Sequence, residues 1–600
     1  MKRTIYILAL ITLISCEDVL DKVPQDKISD AAVWHSEKLV DTYLASLYAR
    51  MDIDELKNSD PVNYSLWPSM AGAGRSYGTH HDPYKASIQI FESSGPKNYT
   101  EFFRYMIIQD MNYFIEKLEN ESSLSDDFII TKINEAKFLR AYIYWKKVIR
   151  YGGVPIITKS QDLDTPQEEL YVSRNSEQEV YDFIISELSE VFKYLPDAYG
   201  DGYYKGRPTK WTVLHLKSRV ALYAASVAKY GTVQNINAPQ GDLVLGIPAS
   251  DMNKYAQIAW DAADSVINLS GRALYAKSDD YADNYQQLFL DEDPASNTEL
   301  LWSVVYDYDK DKGSGYTERG MPHQFSNSWN SFEYLYDWVE FFEFADGTPG
   351  TSISREDVDY ASNGKEWDIE SIFGNRDPRF IASVFYPGTE WNGETFYGHK
   401  ANVGDRSNSS VSEDFPNTGK NRDIARTPMQ PRKRVNPDVF PSGLRDDSND
   451  FLVMRLGETY LNKAEAAYYL YLEGEKSTTE VLSPLNAIRD RVGMPDKVYS
   501  TDAQLEKDIR NERFVELNWE FLNYWDLIRW RIAKPWIEGE TGSKEFTWLT
   551  FTYNFDTDKY RISIENAVPQ RVFHDHFYYM PIGSSHISSN PNLVENPGYN

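Results

Sequence analysis

Apolar residues recur along this chain mainly at the three-to-four-residue spacing of α-helices. The segment from Asn134 to Ile157 shows the pattern most clearly, because its apolar positions form two stripes. The stripes are Ala136, Leu139 and Ile143 on one side and Phe138, Tyr142, Trp145 and Ile149 on the other. One stripe suits a surface helix, whereas two indicate a helix packed on both sides, as in stacked helical hairpins. The helix is predicted to end at Gly152-Gly153, with Pro155 just beyond.

The same spacing elsewhere predicts further helices that can be grouped into about four hairpins. The predicted pairs are 35–50 with 99–118, 131–150 with 177–194, 209–230 with 253–269, and 451–472 with 481–491. Another helix, rich in charge, is predicted over 501–529. Alanine stands near an aromatic residue in several of them, as in Ala136/Tyr142 and Ala464/Tyr468, so that helices can approach closely. The predicted fold class is mostly α, with hairpins that resemble degenerate tetratricopeptide units.

Two stretches lack helical spacing and are predicted to be loops. Residues 60–96 are broken by glycine and proline, and a loop of this length in a compact protein is usually functional or disordered. Residues 300–440 alternate short apolar fragments with turn residues, although Trp302 and Trp338 stand in regular apolar context and are predicted to be core. We therefore divide the chain into an N-terminal helical part (35–299), a loop-rich insertion with short strands (300–440) and a C-terminal part (441–600).

The first residues have the pattern of an export signal. Lys2 and Arg3 precede an apolar run from Ile5 to Ile14, which is too short to span a bilayer. Ser15 and Cys16 follow, and the motif resembles the bacterial lipobox, in which the cysteine is acylated and becomes the mature N-terminus. The sequence predicts a signal peptide over 1–15, a lipid anchor on Cys16 and a polar tether over 16–34. Acyl chains contribute about 0.8 kcal/mol per buried methylene, so a multiply acylated cysteine is a firm anchor.

Charge and composition restrict the function. The formal net charge is −29, which makes nucleic acid and anionic membrane surfaces poor partners. The 43 Tyr and 15 Trp provide flat apolar faces with polar edges, which suit the binding of sugars or peptides. Cys16 is the single cysteine, and no zinc-protease, P-loop or serine-hydrolase motif is present, so neither a catalytic site nor a cofactor is expected. Four charged residues look catalytic by composition, but their spacing favours buried ion pairs: Glu512, Arg513, Asp526 and Arg529.

Several sequence blocks, in order along the chain, together resemble the SusD/RagB family of outer-membrane nutrient-binding lipoproteins. The blocks are Cys16, Glu135-Ala-Lys-Phe-Leu-Arg-Ala-Tyr, Tyr151-Gly-Gly-Val-Pro, Arg207-Pro-Thr-Lys, Phe344-Ala-Asp-Gly, Asp377-Pro-Arg, Met454-Arg-Leu-Gly-Glu-Thr-Tyr-Leu-Asn-Lys-Ala-Glu-Ala, Asn486-Ala-Ile-Arg, Glu512-Arg, Asp526-Leu-Ile-Arg-Trp and Asn590-Pro-Asn-Leu-Val-Glu-Asn-Pro-Gly-Tyr. The resemblance implies a lipid-anchored protein on the surface of the outer membrane. It also implies a partner, a SusC-like TonB-dependent transporter, and a role in capturing oligo- or polysaccharide without cleaving it.

In such relatives the glycan is held by aromatic and polar side chains on irregular loops. Two stretches match by position and composition, Trp67–Tyr84 and Tyr306–Trp338. A pyranose stacks its C–H face on an aromatic ring, and its hydroxyls need directed donors and acceptors. The predicted glycan-binding residues are Trp67, Arg75, Tyr77, Tyr316 and Trp329.

Two other functions and one metal pattern remain open at this stage. The same scaffold could bind a peptide or glycoprotein, and a glycoside hydrolase on a helical fold would need only a pair of the many carboxylates. Asp307, Asp309, Asp311 and Glu318 have calcium-loop spacing, but Lys312 occupies the position that needs glycine, so we expect a solvated acidic turn and no metal.

Overall fold

The structure is a computed structural model of the whole chain, and it describes most of the residues beyond the N-terminal segment. The described residues are 30–51, 53, 101–162, 164–200, 205–310, 313–322, 325, 334, 336–351, 353, 365–396, 398, 401–403, 429–439, 447–538, 548–554, 556–565 and 573–599.

The frame of the molecule is built from helices that we label α1 to α10. They are α1 Glu37–Ala49, α2 Met106–Glu121, α3 Asp126–Tyr151, α4 Glu177–Val191, α5 Lys210–Tyr230, α6 Met252–Leu269, α7 Leu456–Leu472, α8 Thr478–Arg491, α9 Asp502–Glu516 and α10 Asn523–Arg529. Short α-helices stand at Asp30–Val33, Gln167–Leu170, Tyr281–Gln287, Tyr316–Gly320, Tyr336–Val339, Glu370–Phe373, Pro378–Ser383, Ala533–Glu538 and Ser584–Ser589.

The long helices pack in chain order, each against the next. Contacts join α2 to α3, α3 to α4, α4 to α5, α5 to α6, α6 to α7 and α7 to α8, and α1 packs on α2 and α3. All four predicted hairpins are therefore present, and the predicted tetratricopeptide-like fold class is confirmed. Capping boxes at Ser176, Thr209 and Ser477 fix the starts of α4, α5 and α8, because side chain and backbone satisfy each other there.

Helix α3 is enclosed on two sides, as its two apolar stripes predict. It lies between α2 and α4, and its residues from Lys132 to Tyr151 are buried with few exceptions. It ends at Gly152, whose φ is +67°, and a Cβ at that position would stand 2.8 Å from Leu245. Only glycine fits both the backbone conformation and the space there.

The strands are short and lie mostly in the insertion and the C-terminal part. They are β1 Gln234–Ile236, β2 Leu243–Leu245, β3 Leu300–Val304, β4 Val384–Phe385, β5 Glu390–Trp391, β6 Glu394–Thr395, β7 Ala401–Val403, β8 Gln430–Pro431, β9 Phe451–Arg455, β10 Trp548–Asn554 and β11 Lys559–Glu565. Strand β3 pairs antiparallel with β9, which joins the start of the insertion to the start of α7. Strands β11, β10 and β7 form a three-stranded sheet in that order.

Two sequence predictions of helix boundaries are wrong. The predicted helix 451–472 begins as strand β9, whose buried apolar residues pair with β3 before α7 starts at Leu456. The predicted helix 501–529 is broken by a turn over residues 517–522, between α9 and α10. In both places contacts with residues distant in the sequence override helical spacing. The prediction that Trp302 and Trp338 are core residues is confirmed, since both side chains are buried.

The C-terminal tail is fastened to the turn that follows α3. Arg174 donates hydrogen bonds to the carbonyl oxygens of Tyr151 (2.8 Å), Gly153 (2.7 Å) and Val594 (2.8 Å) and to Asn596 Oδ1 (2.8 Å). One buried guanidinium thus joins two of the family-like blocks, Tyr151-Gly-Gly-Val-Pro and the block that starts at Asn590.

Candidate functional site

Most of the predicted ligand residues lie outside the described residues. These are Trp67, Arg75, Tyr77 and Trp329, and the predicted lipid anchor Cys16 lies outside as well. Tyr316 is described, and its side chain is buried, with the guanidinium of Arg434 4.5 Å from the centre of its ring. A ring enclosed in this way offers no open face for a sugar, because its apolar faces are used in packing. We therefore assign Tyr316 to the scaffold and correct the prediction that it is a glycan-binding residue.

A small cavity lies beside Ile53, the last described residue before Glu101. The rings of Tyr142, Trp145, Phe521 and Trp525 line it together with Ile53, and its volume is about 30 Å³. Such a volume has room for a water molecule or two, whereas ligand pockets measure roughly 300–1,000 Å³. The cavity therefore cannot hold a sugar ring as it stands. Ile53 forms part of its wall, and residues 54–100 lie outside the described residues.

The turn between α9 and α10 carries unusual backbone angles. Trp519 has a φ of +56° and Phe521 a φ of +63°. Bulky residues rarely adopt this conformation. It costs about 1–3 kcal/mol per residue and persists only where surrounding contacts enforce it. We call residues 517–522 the strained turn.

Contacts on both sides hold the strained turn in place. Glu520 accepts hydrogen bonds from Arg455 (2.8 and 2.7 Å) and from Lys433 Nζ (2.7 Å). The ring of Trp519 meets Tyr334 edge-on at 5.5 Å, and the Tyr334 hydroxyl donates to Asn518 Oδ1 at 2.6 Å. Phe521 packs on Phe451, with the ring centres 5.6 Å apart.

The basic stretch Arg432-Lys433-Arg434 is part of this scaffold. The Arg432 guanidinium lies 5.3 Å from the Trp391 ring, Lys433 Nζ lies 4.3 Å from the Phe289 ring, and Arg434 stands against Tyr316 and Phe451. Burial lowers the pKa of Lys433 to about 7, while the nearby Glu520 carboxylate opposes the shift. These side chains brace segment 429–439 from inside the molecule, and sequence spacing gives no sign of their partners.

The catalytic-looking Glu512 belongs to a buried network of arginines and carboxylates. Arg379 Nη1 bonds Glu512 (2.5 Å) and Glu516 (2.9 Å), and Arg489 Nη1 bonds Glu512 at 2.9 Å. Burial alone would raise the pKa of Glu512 and Glu516, but the arginine charges outweigh it and lower both values. A general acid needs the opposite shift, so these carboxylates are suited to bracing and not to proton transfer.

The other three catalytic-looking residues form a second buried cluster. Arg513 Nε lies 3.1 Å from Asp526, and Arg529 Nε lies 2.8 Å from Asp526. Glu465 pairs with Arg529, and although burial would raise the pKa of Glu465, the arginine charges lower it to about 2. The prediction that Glu512, Arg513, Asp526 and Arg529 are buried ion pairs is confirmed.

Two carboxyl groups near the insertion show the reverse shift. Burial, with the charge of Glu292 nearby, raises the pKa of Asp450 to about 6, although Lys205 Nζ stands 2.9 Å from it. Burial also raises the pKa of Asp447, which bonds Thr317. Asp450 accepts the backbone N–H of Tyr306 at 3.1 Å. Both groups thus hold neighbouring chain segments together.

The calcium-like pattern is only partly described. Asp307 pairs with Lys310 at 2.5 Å, and positions 311 and 312 lie outside the described residues. Within the described ranges, His, Cys, Asp and Glu side chains do not gather in groups of three that could hold a metal ion. No helix in the described part of the chain is long and apolar enough to cross a membrane.

Two family models match separate parts of the sequence. Residues 298–599 match the model described as the SusD family, and residues 18–222 match a model described as starch-binding associating with outer membrane. SusD-like protein P38 of Formosa agariphila is 23% identical over 548 residues, which cover 87% of this chain and 90% of the relative. A SusD-like protein of Bacteroides ovatus is 23% identical over 549 residues, covering 88% and 83%.

Solved structures match the fold over nearly the whole chain. A crystal structure of a SusD-like protein from Bacteroides fragilis superposes with a TM-score of 0.73 at 23% identity, covering 96% of this chain and 100% of the other. A SusD-like carbohydrate-binding protein from the same species gives 0.70 at 20% identity, covering 94% and 100%. A laminarin-binding SusD-like protein gives 0.62 at 18% identity, covering 94% and 100%. With a family model matched across more than half of its length, the chain belongs to the SusD family.

Proposed function

We propose that this protein is a glycan-binding lipoprotein of the outer membrane. It captures oligo- or polysaccharide at the cell surface without cleaving it and delivers it to a SusC-like TonB-dependent transporter. Cys16 carries the lipid anchor, and the tether that follows it leads to the folded part, whose first described element is the helix Asp30–Val33 beside the buried Trp34. The tether predicted over 16–34 therefore ends before Asp30. A TonB-dependent transporter that copurifies with the lipoprotein would identify the partner.

The observation that carries the proposal is the match of the first third of the chain to a family model described as starch-binding. It is supported by solved relatives of the same fold, one described as carbohydrate-binding and another as laminarin-binding. The chemistry of the described residues points the same way, because Glu512, Asp526 and their neighbours are engaged in buried ion pairs. Asp447 and Asp450, the carboxyls with raised pKa near the insertion, are bonded to Thr317 and Lys205.

We place the glycan contacts on the two loops chosen from the sequence. Trp67, Tyr77 and Trp329 would stack on sugar rings, and Arg75 would donate hydrogen bonds to hydroxyl groups. A buried aromatic anchor typically contributes about 2 kcal/mol or more to binding, which corresponds to a loss of roughly thirtyfold or more on truncation to alanine.

The test is native affinity electrophoresis and calorimetry with a glycan panel that includes starch and laminarin. Trp67→Ala and Trp329→Ala are each expected to weaken binding roughly thirtyfold, with the melting temperature unchanged. The matched control is Tyr194→Ala, since Tyr194 is an exposed aromatic residue on the helical frame. Unchanged affinity in both tryptophan variants would refute the site. Binding of peptides alone would favour a peptide receptor, and release of sugar would favour a glycoside hydrolase.

The lipid anchor has a separate test. Cys16→Ala removes the acylated sulfur, so the protein is expected to leave the membrane fraction while keeping its fold and glycan binding. Cell fractionation with immunoblotting measures this. Normal retention in the outer membrane would contradict the anchor.

A further inference from the structure

Five buried polar atoms in the described part of the insertion have no hydrogen-bond partner, and they lie on or beside one short ladder. The ladder joins β4 to β8, with Phe385 opposite Gln430. The backbone N–H of Arg432 extends it by donating to Ser383 O at 2.7 Å. The unpartnered atoms are Gln430 Oε1 and Nε2, Arg432 Nε, Ser383 Oγ and Trp391 Nε1. Because buried polar groups in folded proteins nearly always have a partner, such a group of atoms points to a ligand.

Register and ring contacts place the side chains of this cluster on one face of the ladder. Gln430 and Arg432 are two residues apart on an extended segment, so their side chains point to the same face. Phe385 shares that face because it stands opposite Gln430. Trp391 packs edge-on against Phe385 with the ring centres 5.0 Å apart, and the Arg432 guanidinium lies 5.3 Å from the centre of the Trp391 ring. Hydrogen-bond donors from three side chains thus lie around Phe385.

The cluster carries a positive charge that the described residues do not neutralise by an ion pair. Arg432 Nη1 donates to Ile381 O at 3.3 Å, and no carboxylate in the described part of the chain pairs with the guanidinium. Burial lowers the pKa of Arg432, although the charges of Tyr386, Asp283 and Asp280 oppose the shift. A buried cation without a counter-charge is costly, and water can accept its hydrogen bonds but cannot neutralise it. An anion satisfies both needs.

We propose that Gln430, Arg432 and Trp391 form a binding site for an oxyanion, the carboxylate or sulfate group of an acidic sugar unit in the captured glycan. The indole N–H and the guanidinium can only donate, and the amide nitrogen of Gln430 donates as well, so the site suits a group made of acceptors. Hydrogen bonds between a guanidinium and an oxyanion are short and strong. The sugar as ligand rests on the proposed function, whereas the binding of an oxyanion does not.

The net charge of −29 does not exclude this ligand. Charges farther apart than about 8 Å are largely screened at physiological ionic strength, so the groups that contact the oxyanion decide its binding. Gln430 and Trp391 are buried, while Arg432 is partly exposed and gives the side from which the anion approaches. A single acidic group on a sugar therefore fits, whereas a long polyanion meets the charge of the whole surface.

The first variant removes the unpartnered amide. Gln430→Met has a similar volume and loses no hydrogen bond of the amide, so the free energy of unfolding without oxyanions is expected to stay unchanged or to rise. The control is Asn297→Leu, because the buried Asn297 amide donates to Leu288 O and Asp291 O at 2.9 Å each and its loss is expected to destabilise. If Gln430→Met destabilised the protein as much as Asn297→Leu, the amide would be paired without a ligand, and the proposal would fall.

The second variant, Arg432→Met, removes the charge of the site. Its control is Arg272→Met. Arg272 is also partly buried and has no ion pair with a carboxylate in the described ranges, but its Nη1 meets the carbonyl oxygens of Pro294 (3.1 Å) and Asn297 (3.3 Å). Its nitrogen atoms are not among the buried atoms without a partner. Arg272→Met therefore reports the effect of losing an arginine outside the cluster.

The first measurement is thermal unfolding with sodium sulfate or sodium glucuronate, at an ionic strength held constant with sodium chloride and with glucose as the neutral reference. Both oxyanions are expected to raise the melting temperature of the wild type and of Arg272→Met. Neither is expected to raise that of Gln430→Met or Arg432→Met. Sulfate also stabilises proteins non-specifically, and equal shifts in all four proteins would indicate that effect or an adventitious ion only, which would overturn the site.

The second measurement is calorimetry with uronate-containing and sulfated oligosaccharides, each beside its carboxyl-reduced or desulfated counterpart. Arg432→Met is expected to weaken binding of the acidic form about tenfold or more and to leave binding of the neutral form within about twofold. Equal affinity of the wild type for every acidic form and its neutral counterpart would overturn the sugar as ligand. If no oligosaccharide binds while the sulfate shift is still lost in both cluster variants, the oxyanion site is supported and the proposed function is refuted.

Discussion

Replacing Arg455 by methionine is expected to destabilise the protein far more than breaking an ion pair on its surface. The Arg455 guanidinium donates to Glu299 (2.7 Å), to Glu516 Oε1 (2.7 Å) and to both oxygens of Glu520 (2.8 and 2.7 Å). All four side chains are at most 7% exposed. Methionine fills the volume of the arginine stem but leaves three buried carboxylates with fewer cations. Removing one partner of a buried ion pair costs about 3–5 kcal/mol of unfolding free energy.

The matched control is Arg561→Met, which breaks the pair with Glu366 at 3.2 Å, where the arginine side chain is 43% exposed. Surface pairs contribute about 0–1 kcal/mol. Urea unfolding, followed by far-ultraviolet circular dichroism and tryptophan fluorescence, measures both variants against the wild type. A loss for Arg455→Met within 1 kcal/mol of the loss for Arg561→Met would refute the view that buried charge holds the frame together. Sedimentation of each variant before unfolding excludes aggregation as the cause.

Two further predictions concern the joints of the frame. Arg174→Met removes the four hydrogen bonds by which Arg174 joins the turn after α3 to the C-terminal tail. We expect the free energy of unfolding to fall by about 2–4 kcal/mol and the tail to be cleaved early in limited proteolysis. A tail as resistant to the protease as that of the wild type would contradict this. The folded pKa of Asp450, about 6, lies above its unfolded value, so the stabilisation from its bound proton is complete below about pH 4 and is lost as pH rises through 6. The stability of the wild type relative to Asp450→Asn is therefore expected to fall by up to about 3 kcal/mol between pH 4 and pH 7 in urea titrations, and a difference independent of pH would argue against the shift.

The helices could be predicted because their apolar spacing is a local property of the sequence. In α3 the two stripes correspond to two packed neighbours, and Gly152 marks its end as expected. The same reasoning failed over 501–529, where helical spacing continues through the strained turn. There the chain is diverted because Glu520 meets Arg455 and Lys433, residues that are 65 and 87 positions away, and spacing within a window cannot record such partners.

The ligand face could be predicted only as a region. Tyr316 shows the reason. An aromatic residue in a loop-rich segment looks like a sugar-binding residue from the sequence, whether its ring is exposed or, as here, buried against Arg434. The three basic residues 432–434 show the converse. A run of positive charge suggests a solvated surface, yet Lys433 and Arg434 are fully buried against rings and carboxylates. Side-chain direction in irregular segments depends on distant contacts, and single-sequence patterns do not contain them.

The blocks that make the family recognisable are the long-range joints of the frame. Tyr151-Gly-Gly-Val-Pro and the block that starts at Asn590 meet around Arg174, and Met454-Arg brings Arg455 to Glu299 and to the end of α9. A joint constrains residue type strongly, because a buried charge or carbonyl left without its partner is costly. A sugar platform constrains it weakly, since Trp and Tyr both offer a flat face and any loop that places one suffices. The sequence therefore identifies the frame with precision while leaving the glycan open, and binding measurements on Trp67 and Trp329 variants carry information that no further comparison of frames can supply.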